Sequence, residues 1–170
     1  MTDFSVRRAT AADTRIVARH RAEMFSDIGS LTSPLHDQLV AETITYLEKA
    51  IPSGEYVGWL AAPSGRPGEI VAGAGVQIRT VLPHPLAAGG VSMVAHGRQG
   101  IVINVFTEKA WRGKGAARRL MVEVMEWARA SGLETLVLHA AVDGRHLYET
   151  LGFVPTNEMR YQGLLGADDR

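Results

Sequence analysis

Between Ile101 and Ala130 the chain sets a short apolar run, a turn of small residues and a long amphipathic helix in immediate succession. Ile101, Val102, Ile103, Asn104, Val105 and Phe106 form a largely β-branched run that reads as a buried strand. The helix begins near Gly113 and carries Leu120, Met121, Val124, Met125 and Trp127 at helical spacing to about Ala130. Its first-turn amides have no intrahelical acceptor and sit at the positive end of the helix dipole. Gly113, Gly115, Ala116 and Ala117 carry no side chain large enough to keep a phosphate away, and Arg112 and Lys114 add positive charge. Strand, small-residue turn and helix N-terminus therefore occur in the order an anion site requires.

Two other phosphate motifs fail on spacing. A Walker loop ending at Gly113-Lys114 needs Gly at 108 and Ser or Thr at 115, where the chain has Glu108 and Gly115. Gly73-Ala74-Gly75 lacks the third glycine of a dinucleotide fingerprint, with Ile78 in its place, and no helical pattern follows it. A kinase or dehydrogenase reading thus lacks its motif.

Strands and helices alternate elsewhere too. Phe4 to Arg8 reads as a strand, and Thr10 with Asp13 suits the start of a helix carrying Ile16, Val17, His20 and Met24 on one side. Gly29 and Pro34 interrupt the pattern before a second helix from Leu39 to Ala50. Tyr56 to Ala62 and Glu69 to Arg79 read as a hairpin joined by Pro63-Ser-Gly-Arg-Pro-Gly68. Thr80 to Gly100, with Pro83, Pro85, Gly89, Gly90 and Gly97, suits a long loop able to face a substrate. Thr135 to Ala140 reads as a strand, Arg145 to Leu151 as a short helix and Phe153 to Gln162 as a closing strand pair.

The 170 residues suit one domain, and no linker or repeat argues for two. Eighteen basic and eighteen acidic residues give no net field toward nucleic acid or an anionic membrane. The chain has no cysteine, which excludes disulfides, thiolate metal sites and a cysteine nucleophile. The histidines lack the paired spacing of a helical zinc motif, so no metal is expected, and no Gly-x-Ser-x-Gly elbow occurs. Neither a signal peptide nor an apolar run of membrane-spanning length is present, so the expected location is the cytoplasm.

Arg112-Gly-Lys-Gly115-Ala-Ala117 resembles the Arg/Gln-x-x-Gly-x-Gly/Ala signature of the GCN5-related N-acetyltransferase (GNAT) family. About thirty residues later, Leu147-Tyr-Glu-Thr-Leu-Gly-Phe153 is similar to that family's Leu-Tyr-Glu-x-Leu-Gly-Phe element. The resemblance is detailed from about Ile101 to Tyr161, and the segment Gly152 to Arg160 resembles small bacterial members. It implies an α/β fold in which a mixed central sheet with splayed central strands is flanked by helices, one domain over residues 1–170. It also implies acetyl-coenzyme A as acyl donor, its pyrophosphate at Arg112, Gly113, Lys114, Gly115, Ala116 and Ala117. The preceding strand is expected to carry a bulge and to pair its backbone near Asn104, Val105 and Thr107 with the pantetheine arm.

Direct acyl transfer to an amine needs a neutral nucleophile and a protonated leaving thiolate. Tyr148 matches the family tyrosine assigned as general acid; its phenol, with a reference pKa of about 10, is protonated at neutral pH. Glu108 and His139, at the ends of two neighbouring strands, are the candidate bases, and an unperturbed imidazole titrates at about 6.5. The chain departs from the family in having Ala141 seven residues before the tyrosine, where relatives commonly have Asn. Asp143 or Arg145 substitutes, or that contact is absent.

The acceptor is expected over the sulfur, walled by Met24, Phe25, Ile28, Leu31 and His36, with Glu23 and Asp27 as partners for an ammonium. A small-molecule amine or amino-acid derivative is the expected acceptor, with no nucleic-acid or membrane partner. Family members often pair through their C-terminal strands, so a homodimer is one expected state. The competing readings are a non-catalytic acyl-coenzyme A binding or regulatory module and a protein-amine acetyltransferase.

Overall fold

The apolar run at Ile101–Phe106 is the middle of a sheet. The computed structural model describes residues 3–156 and 158–160, which divide into two units, residues 1–139 and residues 140–170. In the first unit, β1 (Phe4–Arg8), β2 (Tyr56–Pro63), β3 (Ala72–Thr80), β6 (Arg98–Thr107) and β7 (Thr135–Leu138) form a five-stranded sheet in the order β1-β2-β3-β6-β7. Only the β6–β7 pair is parallel.

Helices cover both faces. On one face lie α1 (Thr14–Asp27) and α2 (Ser33–Ser53), where Val17, Leu47, Ala50, Tyr56 and Leu60 form a buried cluster. The other face takes α3 (Ala116–Ala130), which buries Leu120, Met121 and Val124 completely, each worth about 2 kcal/mol by transfer of its side chain from water. Trp127 on α3 meets Trp59 on β2 edge to face at 5.2 Å, and the Arg8 guanidinium lies 4.4 Å from the Trp59 ring centre.

The expected α/β layering is therefore present, with three corrections. Pro34 does not interrupt a helix; it lies in the first turn of α2, where a missing N–H costs nothing. The expected loop at Thr80–Gly100 contains a hairpin of β4 (His84–Ala88) and β5 (Val91–Ala95) that forms its own two-stranded sheet. Gly89 and Gly90, at φ 59° and 79°, supply the two left-handed residues a tight two-residue turn demands. At the base of this hairpin the Glu134 carboxylate accepts the backbone N–H groups of His96, Gly97 and Arg98 at 2.8, 2.8 and 2.9 Å. Those bonds stabilise the charged form and hold its pKa at about 2.

The third correction concerns the closing strand pair expected from Phe153 to Gln162. None of the described residues there, 153–156 and 158–160, is in a strand; Pro155 offers no N–H, and Val154 and Met159 are exposed instead of alternating into a core. Asn157, Tyr161 and Gln162 lie outside the described residues.

The second unit holds α4 (Arg145–Thr150). Gly152, at φ 91°, turns the chain back so that the Phe153 amide donates to the Tyr148 carbonyl and the Gly152 amide to the Glu149 carbonyl, both at 3.0 Å. This is a Schellman cap, with the Tyr148 and Phe153 rings edge to face at 6.0 Å as its apolar contact. The Leu-Gly-Phe part of the sequence element is thus the stop signal of α4.

Candidate active site

Where β6 leaves β7, a gap opens in the sheet. β7 pairs with β6 only over Gln99–Val102, and β6 runs on to Thr107 after β7 has ended at Leu138. On its other side β6 stays paired with β3, but the register steps from Gly75↔Ile103 to Gly73↔Phe106, so β6 has one residue more than β3. That is a β-bulge, which bends and twists the strand that carries it.

Asn104 sits in the bulge at φ 57°, left-handed for a residue with a side chain, and its side chain is buried and held at both ends. An Arg21 N–H donates to its Oδ1 at 2.7 Å, and its Nδ2 donates to the Tyr56 hydroxyl at 3.3 Å. Tyr56 reaches that point by lying across the sheet over two glycines. A Cβ on Gly75 would fall 2.1 Å from the Tyr56 Oη, and one on Gly58 would fall 3.0 Å from its ring. Gly75, which belongs to no nucleotide fingerprint, makes room for this ring; burial pushes the Tyr56 pKa up to about 12 and keeps the hydroxyl protonated.

Beyond Thr107 the chain makes a 3₁₀ turn at Lys109–Trp111 and then passes Gly113 and Gly115, at φ 72° and 93°. Gly115 is the N-cap of α3, and no side chain caps the helix there. A Cβ on either glycine would meet nothing within 4 Å, so the loop backbone faces open space, as a phosphate cradle must. Arg112 is turned back on the protein: its Nε donates to the Thr107 carbonyl at 3.0 Å and its guanidinium pairs with Asp27. Lys109 joins the same carboxylate at 3.2 Å. Asp27, expected beside an ammonium, is thereby committed to two cations that hold its pKa below the usual range, Arg112 foremost. Lys114 rests over the Trp111 ring at 4.7 Å.

Glu108 lines a cleft of about 460 Å³ together with Glu23, Glu69, Ile70, Phe106 and Trp111. Arg19 pairs with Glu108 at 2.6 Å, and the His20 Nε2 lies 3.6 Å from the same carboxylate. His20 is buried against Phe106 at 5.0 Å, and neither ring nitrogen has a hydrogen-bond partner. Burial, with Arg19 beside it, holds its pKa at about 4, so the ring is neutral at pH 7. Glu108 lies four positions past Asn104, just beyond the end of β6, and Phe106, where the register resumes after the bulge, lines the cleft with it.

The other expected residues are scattered around this framework. Val105 and Thr107 lie on the opened stretch of β6, and Ala116 and Ala117 begin α3. His139 is exposed one residue past β7. Met24 and Phe25 are half-buried on α1, whereas Ile28 is exposed at its C-cap. Tyr148, on α4, is half-buried, and that burial raises its pKa.

Sequence reading passed over Arg21, Tyr46, Glu55 and Gln77, whose polar side chains gather on the α1–α2 face. The signal for Arg21 was present: Val17, His20, Arg21 and Met24 follow the i, i+3, i+4, i+7 stripe that a helix turns to its core. A charged residue in that stripe needs a reason to be there.

The acetyltransferase (GNAT) family model matches residues 23–153, spanning both the bulged strand and the Tyr148 element. The chain belongs to the GNAT acetyltransferase family. Among solved structures, a GCN5-related N-acetyltransferase from Ralstonia eutropha is 25% identical, with 94% of this chain and 97% of that one covered at a TM-score of 0.80. A predicted acetyltransferase from Clostridium acetobutylicum, solved with acetyl-CoA, is 22% identical, covering 95% and 96% at a TM-score of 0.75. Glucosamine-6-phosphate N-acetyltransferase from Arabidopsis thaliana shares the fold at 16% identity, with 95% and 98% covered and a TM-score of 0.65. No curated protein sequence matches. In this GNAT chain no described helix is long and apolar enough to cross a membrane, and no group of three or more His, Asp or Glu among the described residues is arranged to hold a metal ion.

Proposed function

We propose that this GNAT protein transfers an acetyl group from acetyl-coenzyme A directly to a primary amine. One observation carries the reading: the bulged, half-unpaired β6 leads through one short turn and a glycine loop into an uncapped helix N-terminus. An extended pantetheine arm needs a strand edge with spare backbone groups, and a pyrophosphate needs spare amides at a helix start. Val105 and Thr107 on the open edge of β6 would hold the first, and the amides from Gly113 to Ala117 the second, with Lys114 supplying charge. The open space at Gly113 and Gly115 fits that group. When bound, acetyl-coenzyme A supplies an activated thioester.

The chain's own residues divide the proton work. Tyr148 takes the family's role of donor to the departing thiolate, and its raised pKa keeps the phenol protonated at neutral pH. Glu108, fixed by Arg19, and His139 are the proposed proton acceptors for the incoming amine, directly or through water. The acceptor class proposed is a small molecule or amino-acid derivative.

The test is calorimetry with acetyl-coenzyme A on the wild-type chain and on Gly115→Glu, followed by thiol release with a panel of amines. The introduced carboxylate would put bulk and negative charge where the pyrophosphate belongs, so affinity should fall about a hundredfold or more. The left-handed φ of 93° at this position adds about 1–2 kcal/mol of strain to the variant, a few degrees in Tm. Wild-type affinity in the variant places the phosphate site elsewhere, and binding without thiol release for any amine favours the non-catalytic module.

A further inference from the structure

Arg21 is the chain's unspent cation at the bulge. It is half-buried on α1, burial pushes its pKa down, and its charge is partly withdrawn from water. Such a charge ordinarily needs an anion, because an uncompensated buried charge is strongly destabilising. Among the described residues, the groups around this guanidinium are the Asn104 amide oxygen at 2.7 Å, the Phe25 ring at 4.9 Å, and the hydroxyl-bearing rings of Tyr46 and Tyr56. No carboxylate is among them. Glu55, the acid in this cluster, is occupied otherwise: it accepts the Tyr46 hydroxyl at 2.6 Å, and Tyr46 in turn accepts from Gln77 at 2.8 Å. The remaining guanidinium N–H groups keep their fixed fork, the geometry that takes a carboxylate with two parallel hydrogen bonds.

The place is as telling as the charge. Arg21 is tied to Asn104, so its guanidinium is fixed at the point where β6 bends and β7 has withdrawn. α1, which carries Arg21, packs against β6, so the half-buried guanidinium stands on the α1–α2 side of the bulge. A single guanidinium with no second cation beside it among the described residues matches a monoanion better than a phosphate dianion.

We propose that Arg21 is the anchor for a carboxylate on the acceptor, so that the amine acetylated belongs to an α-amino acid or a close derivative. This rests on the acetyl-transfer reading and deepens it. Arg21 is a specificity residue here, holding the acceptor by a group that takes no part in the acyl transfer, while Phe25 and Asn104 fix its plane.

Paired acceptors test it: phenylalanine against phenethylamine, histidine against histamine, lysine against cadaverine and arginine against agmatine, assayed by thiol release. The wild-type chain should prefer the carboxylated member of a pair by about ten- to a hundredfold in kcat/KM, the worth of a charged hydrogen bond. In Arg21→Met the ratio should collapse toward one, mainly through KM, and Arg21→Lys should restore part of it. No preference in the wild type, or a preference that survives Arg21→Met, overturns the assignment. So does a parallel loss for both members of each pair with a falling Tm and a falling affinity for acetyl-coenzyme A, which would make Arg21 a brace for the bulge. O-phosphoethanolamine outcompeting every amino acid also overturns it. If no acetyl-coenzyme A binding and no thiol release occur, the acetyl-transfer reading fails by itself. Calorimetry of the same amino acids against wild type and Arg21→Met then decides the anchor: saturable binding lost in the variant upholds it, and none in the wild type removes it.

Discussion

Asn104 offers the sharpest perturbation, because its backbone and its side chain make opposite predictions for the same pair of substitutions. In a regular strand, Gly is less stable than Ala by about 0.5–1 kcal/mol, since it loses more freedom on folding. At φ 57° the order should reverse, because Ala in the left-handed region carries about 1–2 kcal/mol of strain that Gly does not. Both variants lose the same bonds. The charged bond from Arg21, at 2.7 Å, is worth about 1.5–3 kcal/mol, and leaving the buried Tyr56 hydroxyl without its amide partner adds about 1 kcal/mol. Asn104→Ala should therefore cost about 3–5 kcal/mol and Asn104→Gly about 1 kcal/mol less. Asn104→Asp should come closest to wild type, since its carboxylate can take Arg21 as an ion pair and accept from the Tyr56 hydroxyl. Urea unfolding at unchanged m-value reads this order from the midpoints, and at about 2–4 °C per kcal/mol a 3 kcal/mol loss lowers Tm by about 6–12 °C. Ala as stable as Gly would refute the left-handed bulge. With it would go the argument that β6 is bent away from β7 by design, and the affinity for acetyl-coenzyme A should then be indifferent to all three changes.

Two further outcomes follow from the same geometry. Tyr148→Phe should keep the affinity for acetyl-coenzyme A and lower thiol release about a hundredfold or more, the usual worth of a positioned acid; unchanged turnover under conditions where chemistry limits the rate removes the acid role. His20 has a folded pKa of about 4 against about 6.5 when unfolded, so between those values the unfolded chain binds a proton that the native chain refuses. Stability should fall as pH falls from about 6.5 to about 4, by about 3 kcal/mol in all, and His20→Phe should flatten that part of the urea midpoint against pH. An equally steep profile in the variant would show that His20 does not titrate this way.

The parts of the molecule legible in the sequence are those fixed by neighbours in the chain. The β6–α3 segment was readable because β-branched residues, two glycines and an apolar stripe each act locally, and the Leu-Gly-Phe stop of α4 was readable for the same reason. What escaped reading depends on distant partners. Glu134 looks like any surface acid until the sheet brings three amides of the β5–β6 turn onto its carboxylate. The β4–β5 hairpin was hidden by Pro83 and Pro85, which suggest a loop, although Gly89-Gly90 between two uncharged runs carried the turn. The bulge in β6 was expected from the family resemblance alone, since nothing beside Asn104 in the apolar run marks it, and Arg21 stood in a core stripe without its partner in view, 83 residues away.

The polar cluster at the bulge has a direction of cause that begins with missing side chains. Gly58 and Gly75 each cost their strands about 0.5–1 kcal/mol relative to Ala. In return Tyr56 lies flat and 2% exposed, a burial worth about 2 kcal/mol or more, which offsets them. An upright tyrosine would have buried as much ring without asking for glycine on two strands, so packing alone does not account for the arrangement. What lying flat adds is position: the hydroxyl arrives beside β6 at the residue whose backbone is left-handed, and bonds its amide. That amide, oriented by Tyr56, presents its oxygen to Arg21, so the guanidinium is aimed by a relay that begins two strands away. A relay of this kind fixes a charge in one place and leaves most of its donors free, which is what a binding group requires and a purely structural arginine does not.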